Sequence, residues 1–233
     1  MKKIAIFVEG ATEQLLVVNL VKEIINGSNL QIELAEQFKG KISITGKTEN
    51  LEATHYILVV DCHGDEQVKT QIRENHANLT LAGYSAIFGL RDVYPFHSTD
   101  VDDLRTVLQS WLPEGGTPIY MHLAIMEVEA WFLAEITHFG RIHHSLTHDF
   151  IEASGINIRG TSAESWPHPA QTLHDIYRMA QASYLKRDGS KTKRRVMRTL
   201  TALSMTEMKK TVTQSTPGFR DFFERLENSL LAQ

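Results

Sequence analysis

Four short apolar runs in the first 130 residues lead into acids: IAIFVEG at Glu9, YILVVDCHGD at Asp61, YSAIFGLRD at Asp92 and YMHLAIMEVEAW at Glu127. If the runs are strands of one parallel sheet, their carboxyl ends share an edge, and acids far apart in sequence converge there. Clustered carboxylates repel one another unless a cation or shared protons hold them together. Oxygen donors of this kind suit magnesium or manganese, whose chemistry is phosphoryl transfer: the ion neutralises phosphate oxygens while a nearby carboxylate moves a proton. Glu9 directly precedes Gly10, which lets the backbone come close to a ligand at the turn into the next helix. Acids after strands also cap helices and favour helix N-termini, and Asp92 and Glu13 suit that role equally well.

The elements that must position these acids alternate. Apolar runs at 4–8, 41–45, 56–60, 84–90 and 117–126 read as strands, and periodic patterns at 12–26, 66–77 and 99–112 as helices. That order predicts an α/β fold with a mostly parallel sheet flanked by helices. Further on, helical patterns at 127–138, 169–184, 191–213 and 217–231 take over, broken by the polar stretch 140–168. The expected organisation is an α/β core over 1–138 and a helical C-terminal extension over 139–233.

With 42% hydrophobic and 22% charged residues in 233, the composition is that of an ordinary folded chain with a sizeable core. The net charge of −4 exerts no global pull on nucleic acid, so any such binding must be local. The single cysteine, Cys62, excludes an internal disulfide framework and multi-thiolate metal sites. The apolar run in MKKIAIFVEG is too short for a signal peptide, and no segment nears the roughly 18 apolar residues of a membrane span, so a cytoplasmic, membrane-free protein is expected. No GxxxxGK[ST] loop occurs; an ATPase, if one is involved, is a separate protein. His143, His144 and His148 lack an HExxH pattern and read as loop histidines. Trp131 reads as a core anchor. Tyr94, in a DVYP turn, reads as structural.

VEGATE at 8–13 resembles the first motif of TOPRIM domains, the metal-binding α/β module of topoisomerases, primases and OLD (overcoming lysogenisation defect) nucleases. DCHGD at 61–65, EVEAW at 127–131, His168-Pro169, and Ser215 with Phe222 and Phe223 resemble motifs of an uncharacterised bacterial family with a TOPRIM-like core. The resemblance implies Glu9 as general acid or base, with Asp61 and a second acid holding magnesium or manganese. The usual D-x-D spacing is broken by His63. Asp65 stands as the alternative second ligand; His63 either binds a softer metal such as manganese or hydrogen-bonds Asp61 or Asp65. Glu127 is the stronger candidate of the later pair, with Glu129 as a supporting or capping acid.

KRDGSKTKRRVMR carries Lys186, Arg187, Lys191, Lys193, Arg194, Arg195 and Arg198 against the single acid Asp188. It reads as a phosphate-holding surface or as a solvated helix face. The expectation is a magnesium- or manganese-dependent nuclease, or related phosphotransfer enzyme, acting on nucleic acid, with anti-phage defence as a setting. The alternative is a non-catalytic TOPRIM-like partner or regulatory subunit of an ATPase.

Overall fold

A computed structural model describes the chain except residues 27, 28, 39, 40, 97, 185–188 and 233; the side chains of 38, 65, 98 and 189–193 also lie outside the description. The chain divides into two compact units. One comprises Met1–Asp92, Asp100–Leu123 and Glu224–Gln233, the other Val93–Thr99 and Ala124–Phe223. The boundary expected near residue 138 lies within the second.

The sheet has six strands in the order β3-β2-β4-β1-β5-β6. They are β1 (Lys2–Val8), β2 (Leu30–Phe38), β3 (Lys41–Lys47), β4 (His55–Asp61), β5 (Ala86–Asp92) and β6 (Ile119–Ala124). β1 pairs in parallel with β4 and β5, and β2 with β4; β3 is antiparallel to β2. Ile4–Val8, Ile57–Val60 and Ala86–Leu90 are buried throughout, as central strands covered on both faces must be.

Helix α1 (Ala11–Ile24) buries Leu16, Val17, Leu20 and Val21, a single face at helical spacing. Gln14 on it is buried, and its Nε2 donates to Ala35 O at 2.9 Å and Val59 O at 3.0 Å, joining helix to sheet. Helix α2 (Asp65–Leu81) packs on β5. Gly89 permits that approach, because a Cβ there would lie 2.9 Å from Ile72 Cδ1. Helix α3 (Val101–Gln109) follows β5.

In the second unit the helices are α4 (Glu129–Ala134), α5 (His138–Ile142), α6 (His148–Ala153), α7 (Pro169–Arg178), α8 (Gly189–Ala202), α9 (Met205–Glu207) and α10 (Thr213–Ser215); a π-helical turn, Met208–Val212, separates the last two. Helix α11 (Pro217–Leu231) starts in this unit and ends in the first. Trp131, fully buried, meets Phe219 edge-on at 5.2 Å and stacks on Phe222 at 5.9 Å. EVEAW and the C-terminal phenylalanine motif therefore share one aromatic core. Glu135, also buried, accepts from Thr137 N, Ser204 N and the Arg141 guanidinium, the last at 2.7 Å. Its charge is compensated where it sits.

In the first unit, Lys2 Nζ donates to Ser229 O at 3.0 Å, Leu230 O at 3.2 Å and Ala232 O, and His55 Nε2 lies 3.1 Å from Leu230 O. A cation at a helix C-terminus satisfies orphan carbonyls and complements the dipole. No helix among the described residues is long and apolar enough to cross a membrane.

Candidate functional site

At the carboxyl edge of the sheet, Glu36, Asp61 and Val8 occupy one level of neighbouring strands: Glu36 pairs with Asp61 and Asp61 with Val8, so Glu9 follows at the next position of β1. Val8 also pairs with Leu90, which places Asp92 just beyond the same level on β5. Glu9, Asp61 and Asp92 thus share one edge, as the apolar runs predict. Glu36 is the acid the sequence reading missed. Its strand, LQIELAEQF, alternates instead of running apolar, so period-two spacing at Leu30, Ile32 and Leu34 was the available signal.

Backbone amides orient two of these carboxylates. Glu9 Oε2 accepts from Asp92 N at 3.2 Å, while Glu9 O accepts from Gly64 N at 2.9 Å, tying the β1 end to both neighbouring loops. Asp61 Oδ1 accepts from His63 N at 2.8 Å, closing a turn in which His63 (φ 55°) and Gly64 (φ 148°) have positive φ. The His63 ring stands between two acids, with Nδ1 3.4 Å from Asp61 Oδ1 and Nε2 3.7 Å from Glu36 Oε2. The hydrogen bond to Asp61 comes from the His63 backbone amide.

Asp61 is 3% exposed. Burial raises its pKa above the ordinary 3.8, and the charge of Glu36 adds to the rise, while the His63 amide and ring oppose it. The same burial, with Asp61 beside it, pushes the Cys62 thiol up to about 12, so Cys62 is a space-filling thiol and not a nucleophile. Glu13 is 4% exposed, where a first-turn acid would normally face solvent. Its Oε2 lies 3.2 Å from where a Cβ on Gly10 would sit, so a side chain at that turn would crowd the carboxylate.

The later acids belong to the second unit. Glu127 lies in the turn before α4, and its Oε2 accepts from Ala170 N at 2.9 Å, in the first turn of α7 behind Pro169. EVEAW and His168-Pro169 therefore meet through a helix cap. Glu129 is completely buried, and its Oε1 accepts from the Tyr184 hydroxyl at 2.5 Å. His168 packs edge-on against Tyr94 at 5.9 Å.

Lys186 and Arg187, and the side chains of Asp65, Lys191 and Lys193, lie outside the described residues. Of the rest of the basic segment, Arg194 is exposed and Arg195 half-buried. Arg198 donates to Ser183 O at 2.8 Å and stands over the Tyr177 ring at 5.6 Å. Among the described residues, no three His, Cys, Asp or Glu side chains gather closely enough to form a cage for a metal ion. The chain matches no family model, no curated protein and no solved structure.

Proposed function

We propose that the chain is a TOPRIM-like, magnesium- or manganese-dependent phosphodiester hydrolase of nucleic acid, worked by Glu9 and Asp61 at the carboxyl edge. The alignment of Glu36, Asp61 and Glu9 on adjacent strands carries this reading, because it collects negative charge at the edge where α/β sheets bind ligands. The donors are hard carboxylate oxygens with one imidazole beside them, and Asp61 is buried enough that desolvation already penalises its charge. Such a set fits hydrated magnesium, which takes one or two carboxylates and completes its shell with water and substrate phosphate, and does not demand a closed cage.

Asp61 would hold the ion, with Asp65 of the same unit as the other proposed ligand. When bound, the ion would polarise a phosphodiester and lower the pKa of water. Glu9, aimed by the Asp92 amide, would accept the proton of the attacking water and return it to the leaving oxygen. Arg194 and Arg195 would hold the polyanion.

The second reading, a non-catalytic partner of an ATPase, is favoured by the clasp of His63 on Asp61 and Glu36, which occupies the place of the usual second aspartate with an internal contact. Incubating the protein with DNA and RNA in manganese separates the two. Cutting that disappears in a folded Glu9→Gln variant supports hydrolysis. No cutting of either polymer with any divalent metal, with or without a co-purifying ATPase, leaves the partner reading standing.

A further inference from the structure

Asp61, proposed above to hold the ion, is 3% exposed, too little surface to meet magnesium or manganese with the waters they retain on binding. Something beside it must move first. Two groups of the following turn stand against its Oδ1: the His63 amide at 2.8 Å, and the His63 ring, whose Nδ1 is 3.4 Å away. The amide is fixed. It belongs to a turn tied a second time by the bond from Gly64 N to Glu9 O at 2.9 Å, with His63 already at φ 55°.

The ring is not. Its approaches to the two acids, 3.4 Å to Asp61 and 3.7 Å from Nε2 to Glu36 Oε2, are both longer than a hydrogen bond of ordinary length. The His63 side chain is 49% exposed against 4% for that of Asp61, so solvent already reaches the outer side of the ring. Rotation about its side-chain bonds carries it outward with the turn unchanged, a fast motion at an exposed residue. Glu36 stands on β2 in register with Asp61, one strand away on the same side of the sheet. The imidazole therefore fills the gap between two carboxylates that would otherwise repel.

We propose that the His63 ring is a gate over Asp61, latched from its far side by Glu36, and that it must swing toward solvent before the carboxylate can take a divalent ion. Glu36 holds the ring and does not bind the ion. This gate presupposes the metal-dependent reading of the carboxyl edge. It adds that the affinity measured in solution is the affinity of the open form reduced by the fraction of molecules in which the ring is displaced.

Manganese binding to the full chain, followed at one fixed pH by loss of the EPR signal of the free ion, tests it. His63→Gly removes the ring and suits the left-handed backbone at that position. It should bind manganese about tenfold more tightly, the gain for a gate that stands open in roughly one molecule in ten. Glu36→Ala should tighten binding in the parent and change nothing in the His63→Gly protein, since a latch without a gate has no effect. In the parent itself, magnesium should shift the Cε1–H proton resonance of His63 as the ring leaves the carboxylates, a readout that needs no variant to fold. Three results overturn the gate and leave the metal site standing: unchanged or weaker binding in His63→Gly, weaker binding in Glu36→Ala with or without the ring, or a His63 resonance unmoved by saturating magnesium. If neither the parent nor His63→Gly binds manganese, the metal site itself fails and the gate with it.

Discussion

Glu127 Oε2 accepts the amide of Ala170 at 2.9 Å, fastening the turn before α4 to the first turn of α7. A carboxylate at a helix N-terminus satisfies an orphan donor and complements the helix dipole. Glu127→Ala should therefore lower stability by about 1–2 kcal/mol even in chelator, and Glu127→Gln by less, since an amide oxygen still accepts. Urea unfolding in EDTA measures both. A Glu127→Ala protein as stable as the parent without metal would remove the capping role.

Asp61 makes the opposite prediction. Its folded pKa is raised, so the folded state binds more protons than the unfolded chain above the ordinary aspartate value of 3.8; stability is full below that pH and falls as pH rises through the folded pKa. Asp61→Asn keeps an acceptor for the His63 amide and should be as stable as the parent or more so at neutral pH in chelator. Manganese should raise the melting temperature of the parent and not of a Glu9→Gln, Asp61→Asn protein. An equal rise in both would place the bound ion elsewhere.

His138 is wholly buried, with Nδ1 donating to Glu135 O at 2.6 Å and Nε2 3.0 Å from the Tyr177 hydroxyl. Burial pushes its pKa down from 6.5 to about 4, against the bond to Glu135 and helped by the nearby Arg141 charge. The unfolded chain then binds the extra proton between those two pH values, so stability falls as pH drops through that window, by roughly 3 kcal/mol in all. Denaturant melts from pH 7 to pH 4 should show a shallower dependence in His138→Asn, after allowing for its lower starting stability. Parallel curves would rule out His138 as the titrating group.

The arginines of α8 should separate by role. Arg194 is exposed, whereas Arg198 is spent on Ser183 O and the Tyr177 ring. Arg194→Gln with Arg195→Gln should flatten the plot of log K against log salt for duplex DNA by about 0.9 per lost contact. Arg198→Gln should cost stability instead. If the salt slope and affinity survive the double substitution, the segment is a solvated helix face.

The central strands were legible because burial on both sides leaves continuous apolar runs, as at Ile4–Val8 and Ile57–Val60. A single apolar stripe likewise predicts a helix over 12–26, and α1 spans Ala11–Ile24. Strand β2 escaped because it alternates beside the edge strand, and Glu36 escaped with it. The Glu9–Asp61 level follows from strand-end spacing. The engagements of Glu127 with Ala170 and Glu129 with Tyr184 do not, because each partner lies more than forty positions downstream, and no local pattern encodes so distant a hydrogen bond.

The bonds from Lys2 to the carbonyls ending α11 carry a consequence for how the protein is made. The first unit takes one strand from Lys2–Val8 and a helical stretch from residues 224–233, with all of the second unit translated in between. A nascent chain stalled anywhere before the last turn of α11 would hold the sheet without the carbonyls that Lys2 and His55 bind. The sheet end therefore stays incomplete on the ribosome until the end of α11 has been translated, and the second unit has the earlier opportunity to fold as a whole.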